Sequence, residues 1–477
     1  MSSFLLAFLP ELVLLAGSLG LFAVTLGENQ AAKARTLALF VALAAVLGCA
    51  VSLHAHATLF DGAYRVDAFS QWLKLVISGG FTFVLLLSAD LPDIRSAIKA
   101  EYYLFLALSV TGLVFLVSSI DIVALVIALE LSSFPLYIMV ATRREREGQR
   151  VQMESAIKYI MFGVAANGVM FFGLSYLYGL TGSTSLPVMM EKLQPIVGTP
   201  LAIAGLAMTF AGLFYKLAIF PFHFWTPDVY QGASNETAAM VASLPKLGAV
   251  AVLVRLVSLA SPDNPTLVTL LSILACASMF YGNLIAMVQK DFKRLLGFSS
   301  VAHAGYALVG FTALDVAGYS ASLFYITGYL LMILACFLVI SRVSKDGRNL
   351  AIEELAGLHK RSPLLAVTLG VAVFALAGVP PFVGFMGKFS LLFAALGKGH
   401  TALVVLMVIN SAIAVYYYLR VVKETAFGDP VDTTPICLDL PTKALCVVLI
   451  VGITVLGIAP ERILATISSS LACLGIH

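Results

Sequence analysis

Residues 201–222, LAIAGLAMTFAGLFYKLAIFPF, run apolar for the thickness of a bilayer and carry one charge, Lys216. A lysine held in hydrocarbon costs about 3 kcal/mol even on insertion scales, so chains rarely keep one there without a use for it. Pro221 and Pro227 bracket a Phe-His-Phe-Trp segment that cannot continue as a regular helix, because each proline lacks a donor and clashes with the preceding turn. Broken backbone at membrane depth is tolerated only where it packs in protein or lines a wet cavity. A buried ammonium beside a broken helix, followed by the imidazole of His223, reads as part of an ion path.

The same hydropathy runs through the remainder of the 477 residues. Charged residues make up 12% of the chain, against about a quarter in soluble domains, and mean hydropathy is +0.98, so an all-α polytopic membrane protein is expected. Apolar runs of about 20 residues suffice to cross the bilayer. About fourteen transmembrane helices are predicted, at 4–26, 34–57, 67–89, 101–118, 120–141, 152–178, 200–222, 237–260, 266–288, 292–313, 317–341, 363–396, 400–420 and 442–460. The longest connections, 342–362 and 421–441, are too short for a soluble domain. The first run carries Glu11 and follows no basic leader, so it reads as a helix and not a cleaved signal.

Basic residues orient the chain. With the N-terminus outside, cytoplasmic loops collect eighteen lysines and arginines, among them Arg143, Arg146, Arg150, Lys293, Arg294 and Lys345. The other side keeps four, Arg65, Lys192, Lys398 and Arg462, which puts both termini outside. The run RREREGQR reads as a solvated positive-inside loop. Of the seven that remain, Lys74, Arg255 and Lys443 lie near helix ends and are expected to snorkel to the interface. Lys158 is near the cytoplasmic start of its helix, and Lys216, Lys246 and Lys388 are deep.

Several chemistries find no support. The six cysteines, Cys49, Cys276, Cys336, Cys437, Cys446 and Cys473, form no C-x-x-C pair and suggest neither a disulfide framework nor a zinc or iron–sulfur site. The glycines form no dinucleotide fingerprint. What is left is a set of ionisable groups in apolar runs. Glu130 is expected to be the one deep acid and to pair with a buried lysine; the alternative is a static ion pair joining two helices. Lysine changes protonation when buried and arginine does not, which favours Lys216, Lys246 and Lys388 as proton carriers, although Lys246 can equally be an interhelix tie. His223 and His303 suit proton relay near neutral pH, or, for His223, satisfaction of backbone groups at the break. Asp228 and Glu236 in WTPDVYQGASNET either mark where protons come in from the cytoplasm or serve as a turn cap and a helix start.

The arrangement recurs. Glu130, in ALELSSFPLY, precedes the broken Lys216 helix by two helices, and His303, in SVAHAGYALV, likewise precedes a helix broken at GVPPFVGFMGK that carries Lys388. An interval of five helices inverts the second unit, so two inverted five-helix repeats are expected, each with a broken helix at its site. The division is 1–100 for three N-terminal helices, 101–260 and 261–425 for the repeats, and 426–477 for a last helix.

FYKLAIFPFHFWTPDVYQGA, ALELSSFPLY, the SSVAHAGY run and PPFVGFMGKF together resemble the antiporter-like membrane subunits of respiratory complex I over nearly the whole chain. These are related to subunits of multisubunit sodium/proton antiporters and membrane-bound hydrogenases. Within the family the lysine at the second break fits the N-type branch, since the M-type carries glutamate where this chain has Lys388 and the L-type continues well past residue 477. The resemblance implies proton translocation driven from a distance by quinone chemistry, with Glu130, Lys158, Lys216, His223, Lys246, His303 and Lys388 at the family's proton-translocation positions. It implies no cofactor on this chain, with NADH, FMN, iron–sulfur clusters and quinone on partner subunits. The partners implied are an M-type subunit and small K-, J- and A-type subunits in a bacterial inner membrane, and no nucleic acid. Two rival readings stand beside it: a stand-alone cation/proton antiporter or a subunit of a multisubunit antiporter or membrane-bound hydrogenase, and a scaffold whose charges only tie helices together.

Overall fold

The computed structural model describes residues 3–145, 150–257, 264–430, 433–472 and 474. Arg146, Cys473 and His477, and the expected repeat boundary at 260–261, lie outside them. The helices in chain order are α1 Ser3–Ala7, α2 Leu9–Thr25, α3 Ala31–Val51, α4 Ala68–Ser88, α5 Lys99–Ser118, α6 Ile122–Ala141 and α7 Val151–Thr181. They continue with α8 Leu186–Leu193, α9 Pro200–Leu217, α10 Trp225–Gly232, α11 Asn235–Ala242, α12 Leu244–Val257, α13 Pro265–Ala286 and α14 Phe292–Phe311. The last are α15 Val316–Val343, α16 Leu358–Arg361, α17 Pro363–Ala377, α18 Val383–Gly397, α19 Thr401–Phe427, α20 Leu440–Ile458 and α21 Glu461–Ala472. A short hairpin, β1 Ala57–Leu59 with β2 Tyr64–Val66, joins α3 to α4.

The chain is nearly all helical, because in hydrocarbon a helix alone satisfies every backbone group within one segment. Eleven helices among the described residues are long and apolar enough to cross a membrane, with α11 and α12 counted together. The three other predicted runs fall on α2, α14 and the broken pair α17–α18. Helix α15, the longest interior helix, is buried along almost its whole length and packs against α14, α17, α18 and α12. It packs against both halves of the second broken helix, α17 and α18, while α10 after the first break packs against α14.

Close backbone approach locks the helix pairs that carry the ionisable groups. A Cβ on Gly112 of α5 would collide with the backbone of Leu131 and Ser132 on α6, so only glycine lets α5 lie against that turn. Both breaks end in a left-handed residue, Ala218 after α9 at φ 65° and Gly378 after α17 at φ 91°. Phe220–Pro221 and Pro380–Pro381 are cis peptides.

Several charges lie elsewhere than expected. Lys74 and Arg255 do not snorkel: Lys74 is fully buried and pairs with Glu11 at 2.6 Å, and Arg255 is buried and pairs with Asp67 at 3.3 Å. Lys443 is exposed, as a snorkelling residue should be. Arg143 and Lys293, assigned to cytoplasmic loops, are buried, Arg143 against Asp93 at 2.6 Å. Burial does not single out Glu130 among the acids, since Glu11, Asp93 and Glu236, at helix starts or in a loop, are more buried than it is. The reason is shared: an isolated helix looks lipid-exposed at its ends, whereas here neighbouring helices and the 57–66 hairpin cover those ends.

The Glu11–Lys74 pair, joined by the Tyr64 hydroxyl at 2.5 Å, ties α2 to α4. Removing one partner of such a pair leaves an uncompensated charge and costs about 3–5 kcal/mol. Glu11→Gln is therefore expected to lower the thermal stability and yield of the protein, and Glu11→Gln with Lys74→Met to recover most of both. Unfolding in detergent, followed by tryptophan fluorescence, measures this.

Candidate functional site

Lys216 stands in the last turn of α9, buried, and donates to Ser132 Oγ at 2.7 Å and the Leu129 carbonyl at 3.3 Å, both on α6. Glu130 lies between those two residues but is half-buried and accepts instead from Asn167 Nδ2 of α7 at 2.5 Å. The expected direct pair of Glu130 with a buried lysine is thus not formed; neutral oxygens on α6 satisfy the ammonium and an amide satisfies the carboxylate. The Glu130 charge still acts on Lys216 across the intervening turn.

The next lysine uses the break itself. Lys246 on α12 donates to the carbonyl of Leu217, the last residue of α9, at 2.9 Å. Lys388 on α18 does the same at the second break, donating to the carbonyls of Ala377 at 2.9 Å and Leu376 at 3.2 Å at the end of α17. The last carbonyls of a helix have no partner within it and carry the negative end of its dipole, so they suit an ammonium. Lys216 precedes its break and Lys388 follows its own, so the two are not at equivalent places; by what they bind, Lys246 and Lys388 correspond.

Between these lysines lies a packed aromatic series. The Lys246 ammonium is 5.8 Å from the Tyr329 ring centroid, and that of Lys388 is 4.8 Å from the Tyr306 ring. His303 on α14 sits between them, its ring 5.0 Å from Tyr329 and 5.8 Å from Tyr306. Its Nδ1 is hydrogen-bonded to Tyr325 Oη at 2.6 Å and its Nε2 to Tyr418 Oη at 2.9 Å. A ring with both nitrogens on hydroxyls can take a proton on one side and lose it from the other.

Two of the expected residues stand apart from this row. His223 is buried in the first break among Phe220, Phe224 and Tyr281, and neither ring nitrogen has a hydrogen-bond partner among the described residues. Lys158 is half-exposed and pairs with Glu154 and Asp228, each at 2.7 Å. Asp228 does not cap a turn: it bridges Lys158 and Arg294, the latter also at 2.7 Å. Burial works against the Asp228 charge, but the hydrogen bonds from Lys158 and Arg294 outweigh it and hold its carboxyl below the usual range. Among the described residues no group of three His, Cys, Asp or Glu is placed to hold a metal ion.

Residues 119–414 match the family described as NADH:quinone oxidoreductase/Mrp antiporter, TM. An NADH-quinone oxidoreductase subunit N 2 of Opitutus terrae is 66% identical over 473 residues, 99% of this chain and 98% of its own. The chain belongs to the N-subunit family of NADH-quinone oxidoreductase. A chain of respiratory complex I from Thermus thermophilus superposes with a TM-score of 0.83 at 30% identity, over 97% of this chain and 100% of that one. A chain of the Mrp complex from a Dietzia species has a TM-score of 0.87 at 20% identity, over 99% and 98%, and shares the fold.

All seven residues singled out in the sequence fall inside the part of this N-subunit-family chain that the family matches. The sequence reading missed Tyr306, Tyr325, Tyr329 and Tyr418, which complete the row. A signal for them was present: a tyrosine hydroxyl in hydrocarbon needs a partner, and Tyr325 and Tyr329 are one helical turn apart in an otherwise apolar run. The row depends on Gly378, where a Cβ would lie 3.2 Å from Lys388 Nζ and the positive φ disfavours any side chain. Gly378→Ala is expected to cost about 1–2 kcal/mol and to displace the Lys388 ammonium from Ala377. Proton transport should fall while Gly370→Ala, whose Cβ meets open space on the same helix, stays normal.

Proposed function

We propose that this chain is the proton-translocating N subunit of a bacterial NADH:quinone oxidoreductase, a multi-pass subunit of an inner-membrane enzyme complex. It moves protons along Glu130, Lys216, Lys246, His303 and Lys388 when quinone is reduced elsewhere in the complex. The observation that carries this reading is that the deep lysines rest on carbonyl and hydroxyl oxygens, so each can lose its proton without stranding a carboxylate. Electron carriers, NADH, FMN, iron–sulfur clusters and quinone, belong to partner subunits, so the chain's own contribution is translocase work. The two inverted units are 101–260 and 261–425, with α1–α4 before them and α20 and α21 after them. Lys158 and His223 join the path at its margins, Lys158 at a cytoplasmic mouth with Asp228 and His223 at the first break.

Orientation follows the basic residues, with both termini periplasmic. Cysteines introduced singly at Lys345 and Lys192, both exposed, should react with impermeant maleimide from the cytoplasm and the periplasm respectively; reaction from one side would break the helix order.

Lys216→Ala is expected to assemble and to lose most pumping, with complex content checked by NADH oxidation with an artificial acceptor. Glu130→Gln keeps the shape and removes the negative charge that acts on Lys216. In a machine whose proton and electron steps are linked, quinone reduction should slow together with pumping. Lost pumping with intact quinone reduction would instead mean a channel without tight coupling, as in an independent antiporter.

A further inference from the structure

A polar cluster shared by α13, α14 and α19 stands behind the aromatic series. Asn283, in the last turn of α13, and Asn410 of α19 are fully buried. A Cβ on the adjoining Gly282 would lie 2.6 Å from the Ala302 backbone nitrogen, so glycine lets α13 come this close to α14. Asn283 Nδ2 donates to Tyr306 Oη at 3.0 Å and to the backbone carbonyl and Oδ1 of Asn410, each at 3.1 Å. Tyr417 Oη donates to Asn283 Oδ1 at 3.0 Å.

Donor and acceptor chemistry fixes which way this amide points. The Asn410 backbone carbonyl can only accept, so the Asn283 atom that faces it is the nitrogen. An amide nitrogen only donates, so the Tyr306 oxygen must accept from it, and the Tyr306 ring is anchored at its hydroxyl end. A tie between α13 and α19 would need Asn410 and Tyr417 alone. The bond to Tyr306 of α14 is additional to it.

The face of the same ring gives that bond a use. It lies 4.8 Å from the Lys388 ammonium, which otherwise rests on the carbonyls of Leu376 and Ala377. The titratable side chains grouped around this place are His303 and Tyr306 of α14, Tyr325 of α15 and Tyr418 of α19. No carboxylate is within reach: α14, α15, α17, α18 and α20 contain neither aspartate nor glutamate, and Glu424 of α19 lies about 20 Å along that helix from Asn410. A desolvated ammonium is held by the quadrupole of a ring it faces, and a ring that slides or tilts withdraws that hold.

We propose that Asn283 is a positioning residue for Lys388, its bond to the Tyr306 hydroxyl keeping that ring face against the ammonium. Helix α19 thereby serves two members of the row. It holds His303 directly, through Tyr418 at 2.9 Å, and Lys388 indirectly, through Tyr417 and Asn410 on Asn283. With the ring in place the ammonium is favoured; with the ring loose, Lys388 gives up its proton at a lower pH, and the row loses its last carrier there. The inference rests on the lysine row proposed above.

The test measures pumping coupled to quinone reduction against pH, in the assembled complex in membranes, relative to the unaltered complex. Content is checked by an artificial electron acceptor, and Lys388→Ala is the reference. Asn283→Leu, similar in shape and without polar atoms, should move the alkaline limb of the profile down by about one pH unit, as a ten-fold weaker hold on the ammonium would. Tyr306→Phe keeps the ring and removes the hydroxyl that Asn283 binds. It should show the same shift, and it decides the matter if Asn283→Leu fails to assemble. The double variant should shift no further than either single one, because both remove the same bond. Slow Lys388→Ala with an unmoved alkaline limb in Tyr306→Phe overturns the inference and leaves the lysine row standing. Shifts that add in the double variant, or an Asn283→Leu rate lowered equally at every pH, mark a structural role and also overturn it. A normal rate in Lys388→Ala overturns the row itself, and the inference with it.

Discussion

An ammonium in the middle of a membrane protein must be given oxygens, and the way this chain supplies them governs the rest of its architecture. The carbonyls come from the ends of helices that stop inside the protein, Leu217 of α9 and Ala377 of α17. A helix that stops there leaves unpaired carbonyls with a partial negative charge, which would be costly if the lysine were absent. A lysine without them would be equally costly. Each defect is the other's remedy. The segments flanking the breaks are held by their neighbours, α10 by α14, and α17 and α18 by α15.

Two kinds of buried cation coexist in the structure and can be told apart by their partners. Lys74, Arg143 and Arg255 face carboxylates, Glu11, Asp93 and Asp67. Removing a proton from such a pair would strand a buried anion, so these pairs are built to stay charged. Lys216, Lys246 and Lys388 face neutral oxygens. The ammonium is held well enough to exist, and loss of its proton leaves nothing behind that needs compensation. The same chain thus separates tying helices together from carrying charge, and the distinction lies in the partner, not in the depth of the lysine.

That distinction also marks where the sequence was legible. Lys216 and Lys388 announce themselves because a charge and prolines share one apolar run, and the long apolar helices follow from hydropathy, whereas the short α8, α10 and α21 do not. Lys246 and His303 are found by depth. Partners are a different matter, because Leu217 to Lys246 and His303 to Tyr418 are contacts between helices far apart in the chain. Glu130 and Lys216 illustrate the error this invites. Opposite charges in two nearby helices of one repeat suggest a direct pair, but Asn167 and Ser132, polar residues of no obvious note in their runs, take the two places. Lys74 and Lys293 went astray for the complementary reason, since a lysine near a helix end is free to reach water only if nothing covers that end.

The consequence for mechanism comes from sharing one short segment. Lys216 and Leu217 are consecutive, so the carbonyl that receives Lys246 is adjacent to the residue bearing the neighbouring ammonium. The end of α9 thus holds both sites in place, Lys216 by its backbone and Lys246 by the carbonyl it binds, so a shift of that helix end moves the two together. Beyond Lys246 the row continues through Tyr329, His303 and Tyr306, where no fixed charge intervenes before Lys388. His303 thus stands between two ammonium sites, and a positive charge at either one opposes a second on the ring between them. The ring therefore accepts a proton most readily when a flanking lysine has released its own, and that condition orders the transfers along the row.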